Sequence, residues 1–341
     1  METVLSAAWR QVAIEIGDAS AVGAARRLAS ELARNIGLDE TRTGEAALAA
    51  TEAATNILKH AGRGEMLFRP LQDAAGVGIE ILAIDRGPGM SDVAHSMQDG
   101  TTTAGSYGIG LGAMRRLADV FDLYTTPGKG TVVAMTLHAK GRPPSTSAVQ
   151  VGAVCLPMPG ETVCGDAWAI AAGSTLVTVM AADGLGHGIH AAAASEAAAD
   201  VIAERPDRMP AEAVQDIHLA LRATRGAAVA VARLDFLAED LRFAGVGNIM
   251  ASVYENGSRR QLVSHNGIVG NNLHKVQEFA QAWKAGSILL LCSDGIGTRW
   301  DLGQYPGLAL HDANVIAAVL YRDFVRGRDD ATVLVIREHR D

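Results

Sequence analysis

Hydrophobic residues recur with the 3.6-residue period of an amphipathic helix over two long stretches of the N-terminal half, residues 18–36 and 40–60. The other apolar runs in this half are short, as strands are, and a glycine-rich stretch precedes one further helix at about 109–120. The predicted strands cover residues 10–16, 65–71, 77–84, 121–126 and 130–138. Few helices and several strands in mixed order predict an α/β sandwich.

The C-terminal half is richer in strand-like runs and has three helical stretches, 188–204, 210–223 and 312–325. The first is alanine-rich and stops before Pro206, and the second has Pro210 in its first turn, where proline is tolerated. The predicted strands lie near 151–156, 167–171, 175–182, 227–235, 241–246, 249–254, 260–264, 287–292 and 331–337. This pattern predicts two packed sheets with helices outside, so the expected fold class is α+β with two α/β sandwich domains.

The break between the halves is the stretch A-K-G-R-P-P-S-T-S, residues 139–147, which has neither a strand nor a helix period. A chain of 341 residues is also long enough for two domains of about 150 residues each. The predicted organisation is an N-terminal domain over 1–138, a linker over 139–150 and a C-terminal domain over 151–341.

Composition narrows the class of protein. Lys and Arg number 30 against 38 Asp and Glu, a net charge of −8, and no basic cluster exists to displace phosphate counterions, so no nucleic-acid partner is expected. No apolar run approaches the roughly 20 residues that cross a bilayer, and no signal peptide is evident. The three cysteines are too few and too scattered for a disulfide scaffold or a cysteine-rich zinc site. We expect a cytoplasmic protein without a membrane partner.

The first group of candidate site residues begins on the second predicted helix, in E-A-A-T-N-I-L-K-H, residues 52–60. Residues four apart share a helix face, so Glu52, Asn56 and, less closely, His60 project the same way. The Asn56 amide can hold a hydrated Mg²⁺ while the Glu52 carboxylate orients a nucleophile. Taken alone, the same residues also fit the polar face of an amphipathic helix.

Two further stretches extend this group. Asp85 ends a buried apolar strand, in D-R-G-P-G-M, where its carboxylate can accept the exocyclic amine of adenine and the glycines let the backbone approach the ring. The stretch G-S-Y-G-I-G-L-G, residues 105–112, opens a helix whose backbone N–H groups suit phosphate oxygens. Neither a βαβ unit for a dinucleotide fold nor a G-K-[ST] phosphate loop is present.

In this order, and closed by G-K-G-T at residues 128–131, the motifs resemble those of the GHKL (Bergerat) ATPase superfamily. Over residues 8–138 the chain resembles the anti-sigma serine kinases, most of all the stressosome switch kinases of RsbT type. The resemblance implies a Bergerat fold that binds ATP and Mg²⁺, with Glu52 as general base toward a Ser or Thr hydroxyl, Asn56 as Mg²⁺ ligand and Asp85 as adenine acceptor. It assigns further nucleotide contacts to Gly87, Gly89, Gly108, Gly110, Gly112, Gly130 and Thr131.

The second group consists of acidic residues beside glycine or alanine near the ends of predicted strands in the C-terminal half. They occur in the motifs G-D, D-G-L-G-H-G, S-D-G and R-D-D-A-T, at residues 165–166, 183–188, 293–295 and 328–332. Burial of the strands would bring these carboxylates together at one sheet edge. Hard oxygen ligands suit Mg²⁺ or Mn²⁺, and two such ions can activate a water and clamp a phosphoryl group. Singly, each Asp-Gly pair is also an ordinary turn.

The four motifs in this order resemble the metal-dependent protein phosphatase (PPM) family, in its SpoIIE/RsbX branch, over roughly residues 151–338. The resemblance implies an α-β-β-α domain with two Mn²⁺ or Mg²⁺ ions, in which Asp183 bridges both metals and is catalytic. It implies as further metal-site residues Asp166, which contacts metal-bound waters, the Gly184 carbonyl, and Asp294 and Asp329 on the first metal.

Three points stay open in this second group. Asp329 matches the family pattern better than its neighbour Asp330. His187 can be an acid, a metal ligand or simply a polar residue at the start of a helix. The arginine that eukaryotic members use on the substrate phosphate is missing, so no residue is assigned to that group.

A kinase and a phosphatase on one chain imply opposing actions on one regulatory circuit. The resemblances imply substrates among STAS-domain anti-sigma antagonists or stressosome scaffold proteins, modified on Ser or Thr, and a downstream phosphatase or sigma regulator as a further partner. An alternative is that the N-terminal half is a nucleotide-gated binding module that sequesters a partner without phosphorylating it. An ATP-driven machine is a weaker alternative, because no transducer domain follows.

Overall fold

The computed structural model describes residues 3–6, 10–73, 76–93, 110–140 and 148–339. The chain divides into two compact units, one formed by Trp9–Ser145 and the other by Met1–Ala8 together with Thr146–Asp341. Among the described residues, no helix has the length and apolar character needed to span a membrane.

The first strand, β1 (Thr3–Ser6), belongs to the C-terminal unit. It pairs antiparallel with residues 169–172, with Thr3 opposite Ala172 and Ser6 opposite Ala169. The predicted domain of residues 1–138 includes this strand, and the structure places it in the other unit. A four-residue strand carries little pattern of its own, and the partner that satisfies its backbone groups lies far along the sequence.

The N-terminal unit is an antiparallel sheet with helices packed on one face, as the sequence pattern predicts. Its strands are β2 (Val12–Ile16), β3 (Gly64–Asp73), β4 (Gly76–Asp85), β5 (Val120–Thr126) and β6 (Gly130–His138), and its helices are α1 (Ala19–Asn35), α2 (Glu40–Asn56) and α3 (Gly110–Leu117). The sheet has the order β2-β3-β4-β6-β5. Alternate residues of the central strands, such as Met66, Phe68 and Ile81, share one core with the helices.

Small residues let the two long helices approach each other. Ala25, Ala29 and Ala33 recur every four residues on α1 and are fully buried, in one cluster with Ala46 and Ala50 of α2. Alanine has the highest helix propensity and loses no side-chain entropy on burial, so this face favours both helix formation and close packing.

The helix that carries the first candidate motif ends earlier than predicted. It ends at Asn56 and continues as a π-helical turn, Ile57–Ala61, which closes at Gly62 with φ of 75°. A π turn has a longer period than an α-helix, so exposed His60 does not continue the stripe formed by Glu52 and Asn56.

The C-terminal unit contains two stacked sheets with helices outside, which confirms the predicted α-β-β-α architecture. Its remaining elements are β7 (Val149–Leu156), β8 (Asp166–Ala172), β9 (Leu176–Gly184), α4 (Ile189–Glu204), α5 (Pro210–Ala220), β10 (Ala227–Asp235), β11 (Asp240–Val246), β12 (Met250–Glu255), β13 (Ser258–Gln261), β14 (Phe279–Ala282), β15 (Ile288–Cys292), α6 (Ala313–Phe324) and β16 (Ala331–Glu338). The sheet orders are β1-β8-β9-β10-β11-β14 and β13-β12-β15-β16-β7.

The two sheets share a single hydrophobic core. Trp168, Val179 and Phe243 from the first sheet lie in one cluster with Leu291 and Leu334 from the second. Helices α4 and α5 cover the other face of the first sheet, and α6 contacts β7 and β16 of the second. A strand that is buried on both faces has a continuous apolar sequence, and this run of apolar residues predicts β9 and β15.

The sequence pattern is weakest at the sheet edges. Strand β14 was not predicted, and β13 spans Ser258–Gln261 rather than the predicted 260–264. Both are four-residue edge strands with partly or fully exposed side chains, so the periodicity that marks a half-buried strand is faint there.

Candidate active sites

The two polar residues of α2 lie directly against the start of α3. A Cβ at Gly110 would stand 3.2 Å from both amide atoms of Asn56 and 3.3 Å from Oε2 of Glu52, and both of these side chains are half-buried. A larger residue at this position would press on the ends of both side chains, so glycine favours the close approach. Backbone N–H groups at a helix N-terminus attract anionic oxygens, so Glu52 and Asn56 line a place suited to phosphates.

The stretch 105–112 contains three glycines besides Gly110. Of these, Gly112 is buried within α3. Gly105 and Gly108, which the sequence pattern assigns to the phosphate-binding stretch, lie outside the described residues.

Asp85 holds two of the predicted nucleotide motifs together. Its Oδ1 accepts hydrogen bonds from the backbone N–H of Gly87, at 2.7 Å, and of Thr131, at 3.1 Å. The hydroxyls of Thr125 and Thr131 lie 3.1 Å apart. The carboxylate is therefore fixed between the loop after β4 and the hairpin that joins β5 to β6, as an adenine-binding carboxylate needs to be.

Glycine permits the close contact between this loop and this hairpin. A Cβ at Gly89 would lie 2.3 Å from the Thr126 carbonyl oxygen, and one at Gly130 would lie 2.1 Å from the Asp85 carbonyl oxygen. Both glycines have positive φ, 67° and 82°. The backbone N–H of Gly128 also donates to Pro88, at 2.7 Å. The predicted nucleotide residues thus form one tight backbone contact.

We expect Gly130→Ala to destabilise the N-terminal unit by about 2–5 kcal/mol, because the new Cβ meets backbone and because positive φ strains alanine. Gly128→Ala is the matched control, with φ of 78° but nothing within 4 Å of its Cβ position, and should destabilise by only about 1–2 kcal/mol. Urea unfolding of the two variants measures the difference. Equal destabilisation would contradict the close contact.

In the C-terminal unit, the first two predicted carboxylates face each other across neighbouring strands. Asp166 on β8 is directly opposite Asp183 on β9. Burial above all raises the pKa of Asp166 well above the usual range, and the side chains of Ser293 and Thr332 offset only part of this rise. Burial, and then the charge of Asp166, raises the pKa of Asp183 to about 8. Burial and mutual repulsion thus disfavour the charged form of both carboxylates.

A second carboxylate pair lies within electrostatic reach of the first. Burial, followed by the charge of Asp329, raises the pKa of Asp294, while Asn248 Nδ2 donates to Asp294 Oδ2 at 2.7 Å. The charges of both Asp294 and Asp329 also raise the pKa of Asp183. Asp183 thus interacts electrostatically with the three other aspartates that the sequence singled out.

Asp330, the neighbour of Asp329, has a different environment. It is buried, and its two carboxylate oxygens accept backbone N–H bonds from Met158 and Gly165, each at 2.8 Å. Both oxygens of Asp330 therefore tie β16 to the segments before β8, whereas Asp329 is half-buried and lies beside Asp294. This arrangement favours Asp329 as the residue of the pair that faces a ligand.

Two glycines in the acidic motifs let these strand ends meet. A Cβ at Gly295 would lie 1.9 Å from the Asp330 carbonyl oxygen, and one at Gly184 would lie 2.1 Å from the Ala191 carbonyl oxygen. Any side chain at either position would push β15 from β16, or β9 from α4.

His187 forms an exposed pair with a residue that the sequence pattern does not single out. Its Nδ1 lies 2.7 Å from Oε1 of Glu161. Burial above all raises the pKa of Asp330, and the backbone N–H groups of Met158 and Gly165 offset part of this rise, so His187 has only a small influence on that carboxyl. No motif marks Glu161, since it lies in a loop and its role depends only on where that loop folds.

The carboxylates fit a divalent cation chemically. No three His, Cys, Asp or Glu side chains in the described part of the chain are arranged around one point as a preformed metal site. However, Asp166 Oδ2 is buried without a hydrogen-bond partner among the described residues, and neighbouring carboxylates raise the pKa of Asp183. A cation would satisfy that oxygen and offset the repulsion, and all-oxygen donors suit Mg²⁺ or Mn²⁺.

Comparison with known families assigns a class to each unit. The profile of the histidine kinase-like ATPase domain matches residues 17–137, and the profile of stage II sporulation protein E (SpoIIE) matches residues 173–339. The N-terminal unit is therefore a GHKL-type ATPase domain and the C-terminal unit a SpoIIE domain of the PPM type.

Similar proteins narrow the first class further. The chain is 36% identical over 110 residues to the serine/threonine-protein kinase RsbT of Bacillus subtilis (strain 168), covering 32% of this chain and 83% of that kinase. It is 33% identical over 94 residues to the anti-sigma F factor of Thermoanaerobacter sp. (strain X514), covering 26% of this chain and 66% of that factor. The chain belongs to the RsbT family of serine/threonine-protein kinases, joined here to a SpoIIE domain.

Two solved structures resemble part of the chain. One comes from work on the bacterial stressosome as a modular system adapted to control secondary messenger signaling, with 28% identity, a TM-score of 0.52 and coverage of 55% of this chain and 99% of that one. The other is RsbX in complex with magnesium, with 19% identity, a TM-score of 0.50 and coverage of 56% of this chain and 96% of that one. The second likeness shows the fold alone.

Proposed function

We propose that the chain is a bifunctional regulator of a partner-switching circuit. The N-terminal unit phosphorylates Ser or Thr on a partner protein with ATP, and the C-terminal unit removes phosphate from Ser or Thr with divalent metal ions. The similarity to RsbT and to the SpoIIE family supports both halves of the proposal. The observation that carries it in the C-terminal unit is the electrostatic interaction of Asp183 with aspartates from distant parts of the sequence. In the N-terminal unit it is the contact of Glu52 and Asn56 with the start of α3.

For the kinase, the placement of Glu52 is the main support. Its carboxylate lies beside Asn56 and the first residue of α3, so a hydroxyl that approaches a phosphate held there would meet Oε2. Glu52 would accept the hydroxyl proton, and Asn56 would hold the Mg²⁺ that neutralises phosphate charge. Phosphoryl transfer depends mostly on such positioning and charge neutralisation, for which these residues suffice.

For the phosphatase, we assign the metal positions to Asp183, the Gly184 carbonyl, Asp294 and Asp329, with Asp166 toward metal-bound water. Two bound Mn²⁺ or Mg²⁺ ions would supply a nucleophilic water and polarise the phosphoryl group. The chain's own residues support that site: Asn248 donates to Asp294 and so orients it, and the side chains of Ser293 and Thr332 favour the charged form of Asp166. Such supporting contacts fix the direction of metal ligands.

The proposed substrates are STAS-domain proteins, either anti-sigma antagonists or stressosome scaffolds. The likeness to RsbT, to an anti-sigma F factor and to a stressosome chain supports this class. Two opposing activities on one chain would hydrolyse ATP without net effect, so we infer that partner binding controls at least one of them.

A second candidate is that the N-terminal unit captures its partner in a nucleotide-dependent way without phosphorylating it. The similarity to an anti-sigma F factor favours this reading. The position of Glu52 favours the kinase, because binding alone does not require a base beside the nucleotide phosphates.

Mass spectrometry of a STAS protein incubated with the full chain tests both activities. With ATP and Mg²⁺ we expect phosphorylation on Ser or Thr, and with Mn²⁺ and no ATP we expect loss of phosphate from the purified phosphoprotein. Addition of a chelator should stop the second reaction. Binding of ATP and partner without phosphate transfer would instead support the capture module.

A further inference from the structure

Arg225 lies on a connection that is hydrogen-bonded to the turn after Asp183. The backbone N–H of Leu185 donates to the carbonyl of Gly226 at 2.9 Å. The two residues after Gly226 begin β10 and pair with Asp183 and its neighbour on β9. The backbone of Arg225 is therefore held beside the end of the strand that carries Asp183.

The guanidinium of Arg225 lies over that same turn. A Cβ at Gly186 would stand 3.1 Å from Nη1 of Arg225. The side chain is exposed and makes no hydrogen bond or ion pair with any residue that the structure describes. Other arginines of this unit, such as Arg208 and Arg242, are paired with carboxylates. Arg225 thus presents its donors to an incoming ligand.

A phosphorylated side chain carries close to two negative charges and would enter a site already lined by aspartates. The proposed metal ions would hold the oxygens that face the aspartates, and the oxygens that face away would be stabilised by a cation of the protein that those carboxylates do not engage. A guanidinium is always charged and matches two phosphate oxygens with two parallel N–H bonds. Arg326 is the rival, but its charge already offsets part of the rise that burial and the charge of Asp329 cause in the pKa of Asp294.

We propose that Arg225 binds the phosphate group of the phosphatase substrate at the mouth of the carboxylate cluster. The inference rests on the proposed phosphatase function and names a residue for the group that the sequence leaves unassigned. Arg225 would hold the phosphoryl oxygens that face away from the aspartates, and would hold inorganic phosphate in the same place after hydrolysis.

Kinetics and calorimetry on the full chain loaded with Mn²⁺ test this assignment. For Arg225→Ala we expect the KM for p-nitrophenyl phosphate to rise roughly 10- to 100-fold, as expected for loss of a charge-assisted hydrogen bond. The calorimetric affinity for inorganic phosphate should fall by a similar factor, with a smaller change in kcat. Arg225→Lys should recover part of both losses, since it retains the charge but not the bidentate geometry.

Arg222→Ala is the matched control, and Arg326→Ala tests the rival residue. Arg222 is an exposed arginine on the preceding turn, Leu221–Ala223, and its substitution should leave KM and phosphate affinity unchanged. Unchanged KM and phosphate affinity in Arg225→Ala would overturn the assignment, as would an equal loss in Arg326→Ala without one in Arg225→Ala. If the unsubstituted chain hydrolyses no phosphoester, the proposed phosphatase function itself fails; if it does and Arg225→Ala matches it, only this inference fails.

Discussion

Asp183→Asn should reduce Mn²⁺-dependent phosphatase activity by on the order of 10³-fold while leaving phosphorylation by the N-terminal unit unchanged. Asp183 lies opposite Asp166, and burial, followed by the charges of Asp166, Asp294 and Asp329, raises its pKa, so all the candidate carboxylates act on this one residue. Its carboxylate would supply charge to both cations, and several kcal/mol of stabilisation correspond to about three powers of ten in rate. Initial rates on a phosphoprotein at saturating Mn²⁺ measure the loss.

Asp200→Asn is the matched control, since Asp200 is an exposed aspartate on α4 in the same unit. Its activity should equal that of the unsubstituted chain. Retention of more than about a tenth of the activity in Asp183→Asn would contradict the bridging role of Asp183.

The same substitution should change how stability depends on pH once metal has been removed. The folded pKa of Asp183, about 8, lies above the ordinary value of 3.8, so the folded state binds more protons than the unfolded state between these values. Stability of the chelated protein should therefore fall as pH rises from about 4 to 8. Asp183→Asn should reduce that fall by up to a few kcal/mol, as measured by urea unfolding at pH 5 and pH 8. An equal fall in both proteins would show that Asp183 is not desolvated.

The positions of the candidate carboxylates could be predicted because each belongs to a local pattern. An aspartate at the end of an apolar strand, followed by glycine, is visible in the sequence for Asp183 and Asp294, and strand burial then dictates that such residues meet at one edge. Asp85 at the end of β4 is the same case in the N-terminal unit. The hydrophobic period, the strand length and the flanking glycines were enough to predict that Asp183, Asp294 and Asp85 lie at strand ends.

Features that depend on a partner far along the chain could not be predicted in this way. Strand β1 is recognisable only through its pairing with β8, and no local period marks the π-helical turn after Asn56. Asp330 differs from Asp329 only through the backbone groups of Met158 and Gly165, which lie over 160 residues earlier. Arg225 has no motif at all, since its position depends on the pairing of β9 with β10.

Glu52→Gln should slow phosphate transfer to the partner by about 10²- to 10⁴-fold while ATP binding stays within a few-fold of its original affinity. Glutamine keeps the shape of the side chain but cannot accept the hydroxyl proton, and general-base catalysis contributes a factor of this size. The side chain lies against Gly110 beside Asn56, so the substitution leaves the close contact between α2 and α3 intact. Single-turnover transfer to a STAS protein measures the first effect and fluorescent-nucleotide titration the second.

This comparison is best made with Asp183→Asn present in both proteins, because an active phosphatase unit would remove the phosphate whose formation is being timed. Glu31→Gln, at an exposed position of α1, is the matched control and should transfer phosphate at the unaltered rate. An unchanged rate of phosphate transfer in Glu52→Gln would show that Glu52 is not the general base. Loss of ATP affinity would show instead that Glu52 binds the nucleotide. If the Asp183→Asn chain with Glu52 intact binds ATP and partner but transfers nothing, the N-terminal unit is a capture module, because too little phosphatase activity then remains to hide the product.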